Sequence, residues 1–211
     1  MQQDIWDVKQ EKVSMPMPDR CALFSDYRYR ALELFANKGF GQVGMRELSA
    51  CLGLAPGSIY HHYPSKQHLL LDLIQEFHEE LLSVVTRIKQ KKYSNRSKKI
   101  QQLVQAHLHL HREMPWHFSL AEREVGSLNL QQQRQIHDFR DQYEQHLLAL
   151  FGLDSSLGDP TVRAAASIIR KSLNTMPGWL TADTLSGQER EDMLQCVLEE
   201  LIDRLLANLG G

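Results

Sequence analysis

The stretch LGLAPGSIYHHYPSK, residues 52–66, sets two glycines and two prolines around a tyrosine–histidine run and ends on Ser-Lys. Gly53 breaks whatever helix precedes it, and Leu54 is available to pack back under the turn. Pro56 suits the first turn of a new helix, where no amide donor is needed. Pro64 stops that helix, because a proline pushes the residue before it out of the helical region. The predicted helix is therefore short, from Pro56 to His61 or His62. Its tip is made of small residues, Ala55 to Ser58, over which a backbone can approach another surface closely. Ile59 points inward as an anchor, while Tyr60 and His61 present a ring, a hydroxyl and an imidazole outward. Ser65 is a good N-cap for the next helix. Lys66 falls in its first turn, where free amides and the helix dipole attract an anion.

Upstream, DYRYRALELFANKGF (26–40) puts Tyr27, Ala31, Leu34 and Phe35 on one helical stripe that Gly39 closes. MRELSACL (45–52) gives a second helix with Met45, Leu48 and Leu52 on one face. A long helix then runs from Ser65 to about Ile88, with Leu69, Leu70, Leu73, Ile74, Phe77, Leu81, Val84 and Val85 on a broad apolar face. Three short helices before a long one, the second and third joined by a glycine turn, spell a helix-turn-helix. A reader helix of that kind is short, exposed and small at its N-terminal end so that it fits the major groove.

Beyond residue 88 the periodicity stays helical, over about 100–113, 116–128, 131–153, 161–178 and 187–208. Ser186 and Glu189 have capping-box spacing, and Asp159-Pro160 is a helix start. The basic run KQKKYSNRSKK (89–99) reads as a solvated linker, or alternatively as a contact for DNA or an acidic partner. No strand-like alternation or solenoid repeat occurs. The expected fold is all-α: a flexible tail over 1–18, a helix-turn-helix three-helix head over 19–66, and a larger helical body over 67–211.

Charge separates the same two parts. The chain carries −2 overall, but residues 20–70 hold six Lys or Arg against three acids, whereas residues 71–211 hold sixteen against nineteen. A basic head suits a polyanion. Three cysteines far apart in sequence, with no CxxC spacing, argue for a reducing, cytoplasmic setting. No apolar run approaches the roughly 20 residues that span a bilayer, so no membrane partner is expected. There is no GxSxG, Walker loop or GxGxxG, and the chain reads as a non-enzyme without cofactor. His107 and His111 stand four apart on one helix face, a spacing able to hold zinc. With no HExxH and no neighbouring Cys, the face reads as polar surface and no metal site is assigned.

The run ALELFANKGFGQVGMRELSACLGLAPGSIYHHYPSKQHLLLDLI (31–74) resembles the N-terminal domain of the TetR family of transcriptional regulators. Leu34-Phe35 with Gly39-Phe40, MRELS and LGLAPGSIYHHYPSK match in order without gaps. The resemblance implies DNA contacts from Arg46, Ser58, Tyr60, His61 and Lys66, with Pro56 and Gly57 at the groove. Two positions depart from the family pattern: Gly44 replaces a Ser or Thr that caps the second helix and touches a phosphate, and Ala55 replaces a Ser cap. A lost cap costs about 0.5–2 kcal/mol of helix stability.

The resemblance further implies a homodimer, through a four-helix bundle of the last two helices of each subunit, that binds a palindromic operator and releases it when a small, mostly apolar effector tilts the long helix. Candidate effector-lining residues are Leu103, His107, His111, Trp116, Phe118, Phe139, Tyr143, Ile169, Met176 and Trp179. RDQYEQHLLALF and SLNTMPGWL resemble the acyl-CoA-sensing branch of the family, which implies Arg123, Arg140 and Arg170 as phosphate holders. The competing reading is a helical small-molecule- or metal-binding protein with a vestigial DNA-binding head.

Overall fold

The structure, a computed structural model, describes residues 20–55, 57–93, 95–153, 156, 158–179 and 185–209, with side chains from Asp26 onward. The predicted 1–18 tail and Pro56 lie outside the described residues. Among the described residues the fold is all-α, as expected, with eight α-helices and three short 3-10 turns.

The head begins with α1 (Arg20–Lys38), which ends at Gly39 in a positive-φ conformation (84°) and passes through a 3-10 turn at Phe40–Gln42. The second helix, α2, spans Met45–Leu52. Gly53 closes it in the left-handed region (φ 67°), its amide bonding Ala50 O while that of Leu54 bonds Ser49 O. That glycine turn lets the chain reverse at little steric cost. Gly44 occupies the N-cap of α2 with no side chain to offer, so the start of this helix lacks the usual side-chain acceptor. The segment expected to read DNA is a single 3-10 turn, Ser58–His61, anchored by Ile59, which is 2% exposed.

The long helix α3 spans Lys66–Gln90, close to the predicted extent from Ser65 to about Ile88. Ser65 sits at its N-cap with extended backbone, but Oγ turns to His68 Nδ1 at 2.9 Å and does not cap. The body continues with α4 (Arg96–Glu113), α5 (Pro115–Arg123), α6 (Leu130–Leu150), α7 (Pro160–Trp179) and α8 (Gly187–Ala207). The basic run divides between the end of α3, a connection and the start of α4, where Asn95 caps through Lys98 N. The predicted helix over 116–128 stops at Arg123 and becomes a 3-10 turn at Val125–Ser127. The capping box at Ser186 and Glu189 is formed.

One apolar core runs through both parts. Phe35, Phe40, Leu48 and Ile59 of the head belong to the same buried cluster as Phe77, Phe118, Ile136 and Ile169 of the body. No helix among the described residues is long and apolar enough to cross a membrane.

Candidate DNA interface and effector cavity

At the tip of the head, Arg46, Gly57, Tyr60 and His61 are exposed, Tyr60 to 53%, and Ser58 is half-buried. The 3-10 turn thus presents the hydroxyls and imidazole outward while Ile59 holds it down. Arg46, in the first turn of α2, forms no ion pair with the described residues.

Lys66 is placed differently from the sequence expectation. Its ammonium points back into the head, donating at 2.8 Å to both Phe40 O and Val43 O and lying 4.3 Å from the centre of the Phe40 ring. The charge expected at a phosphate instead ties the turn between α1 and α2 to the start of α3. What remains to attract an anion there is the backbone of the α3 N-terminus.

A second tie links α1 to α3. Arg28 pairs with Asp72 and with Glu76 (2.6 Å), and Tyr63 donates to Asp72 Oδ2 at 2.8 Å. The His117 ring, 3.9 Å away, and the Arg28 guanidinium hold the Glu76 carboxyl down near 2, while burial and the Asp72 bond push the Tyr63 phenol up to about 12. The short helix α5 adds a third tie. Arg123 donates to Ala36 O at 2.8 Å, and Glu124 accepts from Phe40 N at 3.4 Å.

The body contains a cavity of about 680 Å³ between α4, α5, α7 and the start of α8. Of the residues expected to face an effector, His111, Phe118, Arg123 and Trp179 line it. Leu103, His107, Tyr143 and Ile169 are instead fully buried core. Trp116, Phe139 and Met176 pack against that core outside the cavity. His107 donates through Nδ1 to Leu103 O (2.9 Å) and accepts from the Tyr143 hydroxyl at Nε2 (2.8 Å), so both ring nitrogens are engaged. Burial lowers both His107 and His111 to about 4, leaving them neutral at ordinary pH.

All three arginines expected at phosphates bond within the chain, Arg123 to Ala36 O of the head and the other two inside the body. Arg170, 4% exposed, bonds Glu144 at 2.8 Å and lies 3.7 Å from Glu122; Arg140 donates to Ala121 O at 3.0 Å. Nearby, His78 is wholly buried with neither ring nitrogen bonded, and burial lowers it to about 3. The polar lining residues that sequence reasoning missed include the cations Arg112 and Arg190, then Ser119, Thr175, Gln188 and Glu191, and also the pair Glu122 and Asn174, joined by Asn174 Nδ2 donating to Glu122 Oε1 at 3.0 Å. The members of that pair are 52 positions apart, and each reads in sequence as the polar side of an amphipathic helix.

Known proteins resemble the head in sequence and the whole chain in fold. The sequence profile described as Bacterial regulatory proteins, tetR family, matches residues 30–73. An uncharacterized HTH-type transcriptional regulator of Bacillus subtilis (strain 168), YuxN, is 32% identical over 67 residues, 32% of this chain and 23% of the relative. The matched stretch therefore spans under a quarter of that relative's length. The fold as a whole is similar to that of a tetR-family bacterial regulatory protein from Rhodococcus RHA1, with a TM-score of 0.72, 23% identity, and coverage of 87% of this chain and 96% of the other. It is also similar to AibR, solved in complex with isovaleryl coenzyme A and operator DNA, with a TM-score of 0.70, 15% identity, and coverage of 85% and 97%.

Proposed function

We propose, from a head that matches the bacterial tetR-family regulators and a body of the same fold, that the protein is a cytoplasmic, ligand-responsive transcriptional regulator. It binds a palindromic operator as a homodimer and leaves it when a small, mostly apolar effector enters the cavity between α4, α5, α7 and α8. The observation that carries this reading is α5, which touches both sites. Phe118 and Glu122 face the cavity, while Arg123 and the adjoining Glu124 bond the backbone of the head at Ala36 and Phe40.

In this reading Ser58, Tyr60 and His61, with Pro56 and Gly57 at the groove, meet the duplex. Arg46 takes a phosphate, and a second phosphate sits on the amides at the start of α3. An effector that wedges α5 against α7 displaces the points where Arg123 and Glu124 hold α1. The reader turns then lose their spacing of about one helical turn. Only the difference in effector affinity between the two arrangements does the switching, and moving from mostly bound to mostly released takes a few kcal/mol. The sequence reading placed the lever in the long helix; α5 adds a shorter path beside it.

Dimerisation is proposed through α7 and α8, where Ile168, Met193 and Val197 are 44–48% exposed apolar residues on the outer face. A single short reader turn grips DNA weakly, so two copies are needed for a specific site.

The test is fluorescence anisotropy of DNA flanking the protein's own gene, at stated salt, followed by addition of a cell metabolite extract. Specific binding by a dimer and release by the extract are expected. Absence of specific binding to every flanking fragment overturns the reading in favour of a helical binding protein with a vestigial head.

A further inference from the structure

We infer that the cavity between α4, α5, α7 and α8 takes an apolar molecule ending in a single carboxylate, seated on Arg190, in preference to the corresponding alcohol, amine or coenzyme A thioester. The inference rests on the reading of this cavity as the effector site and names the chemistry of what enters it.

The charges of the lining decide the sign. Arg112, Arg123 and Arg190 stand against two carboxylates, Glu122 and Glu191. Both carboxylates are matched. Glu191 lies 2.5 Å from Arg112, while Glu122 accepts from Asn174 Nδ2 at 3.0 Å and has Arg170 at 3.7 Å. Arg170 also bonds Glu144 at 2.8 Å, and Arg140 feels both Glu122 and Glu144, so the cluster behind the wall is balanced. His111 stays neutral through burial and adds no charge. The excess is positive and belongs to Arg123 and Arg190. Arg123 bonds a neutral carbonyl, Ala36 O, which leaves its charge uncancelled but commits one nitrogen to the head. Arg190, half-buried in the first turns of α8, forms no ion pair with the described residues.

A positive cleft with low-dielectric walls concentrates anions. A guanidinium fork matches a carboxylate with two parallel N–H donors, a geometry that an alcohol cannot use fully and an ammonium cannot use at all. The apolar remainder of the ligand has Leu108, Phe118 and Leu194, all buried, to lie against. The volume of about 680 Å³ falls within the roughly 300–1,000 Å³ of small-molecule sites. A coenzyme A head brings several phosphate charges and finds one unpaired fork, because Arg112 is held by Glu191 and Arg140 and Arg170 lie in the internal cluster.

Four probes with the same tail separate these chemistries: decanoate, decanol, decylamine and decanoyl-coenzyme A. Binding is followed by calorimetry at low salt, with fluorescence from Trp179 in the cavity lining as a second signal. Decanoate is expected to bind about tenfold more tightly than each of the other three. Its advantage over decanol should shrink as salt is raised. Arg190→Met is expected to bring decanoate down to the affinity of decanol, and Arg190→Lys to keep part of the preference. Glu191→Gln, which frees Arg112, is expected to tighten decanoate by about threefold. The inference is overturned if decanol, the amine or the thioester binds as tightly as decanoate, if Arg190→Met keeps the preference, if Glu191→Gln weakens decanoate, or if none of the four binds. Ser119→Trp from α5 and Thr175→Trp from α7 each place a ring in the cavity, with folding checked by circular dichroism. If either folded variant blocks extract-driven release from DNA while decanoate shows no preference, the ligand class alone fails. Release that persists in both folded variants overturns the effector reading itself.

Discussion

Replacing Lys66 with Met takes a donor from Phe40 O and Val43 O and a cation from the face of Phe40. The expected result is destabilisation by about 1–3 kcal/mol in urea unfolding, since charge-assisted bonds are lost at a half-buried site. The slope of log affinity against log salt for operator DNA should barely change in that variant, because the ammonium does not face outward. Arg46→Ala should do the reverse, leaving stability within about 0.5 kcal/mol and reducing the salt slope by about one unit. His78 makes the opposite kind of prediction. Its two unbonded ring nitrogens lie in the core beside Phe77 and stack on Phe139 at 6.1 Å. His78→Phe keeps the ring and removes the unpaired polar atoms, so a gain of about 1–2 kcal/mol is expected in thermal or urea denaturation.

Among the helices, α5 both lines the cavity and bonds the head, so under the proposed function its head-facing bonds should be separable from ligand and DNA binding. Arg123→Ala combined with Glu124→Ala removes the contacts to Ala36 O and Phe40 N. Operator affinity measured without ligand should change less than threefold. The shift in that affinity caused by an extract or a bound probe should fall by about fivefold or more, the lower range of ordinary coupling. A double variant that still releases DNA normally would show that the signal travels through α3. The helices themselves were readable from sequence where local chemistry brackets them. Gly53 closes α2, Ser186 and Glu189 open α8, and Asp159-Pro160 opens α7. The direction taken by Lys66 was not readable, because its acceptors are backbone carbonyls 23 and 26 positions away. The cavity was only partly readable for a related reason. Aromatic spacing marks Phe118 and Trp179 but marks core residues such as Tyr143 equally well, and the polar pair Glu122 and Asn174 meets only after α5 and α7 pack.

At the scale of the whole molecule, three buried histidines make stability depend on pH. His78, His107 and His111 titrate near 3, 4 and 4 in the folded chain, chiefly through burial, against an ordinary value of 6.5. Below 6.5 the unfolded chain takes up protons that the folded chain refuses, so the equilibrium moves toward unfolding as pH falls. The stability is fully present above about 6.5 and declines by roughly 1 kcal/mol per histidine for each pH unit, down to about 4 for His107 and His111 and about 3 for His78. Urea midpoints at pH 7.5 and 5.5 should differ accordingly, and the difference should shrink by about a third in His78→Phe.

The shared core bears on how such a protein could be rebuilt. Phe35 and Phe40 are buried in the same cluster as residues of α5 and α6. A chimera cut at residue 66 would therefore graft the reader onto a foreign body with a raw apolar face where Phe118 and its neighbours used to sit. Under the proposed function, swapping operators would call for transplanting only the outward residues of the 58–61 turn, leaving the seam beneath it intact.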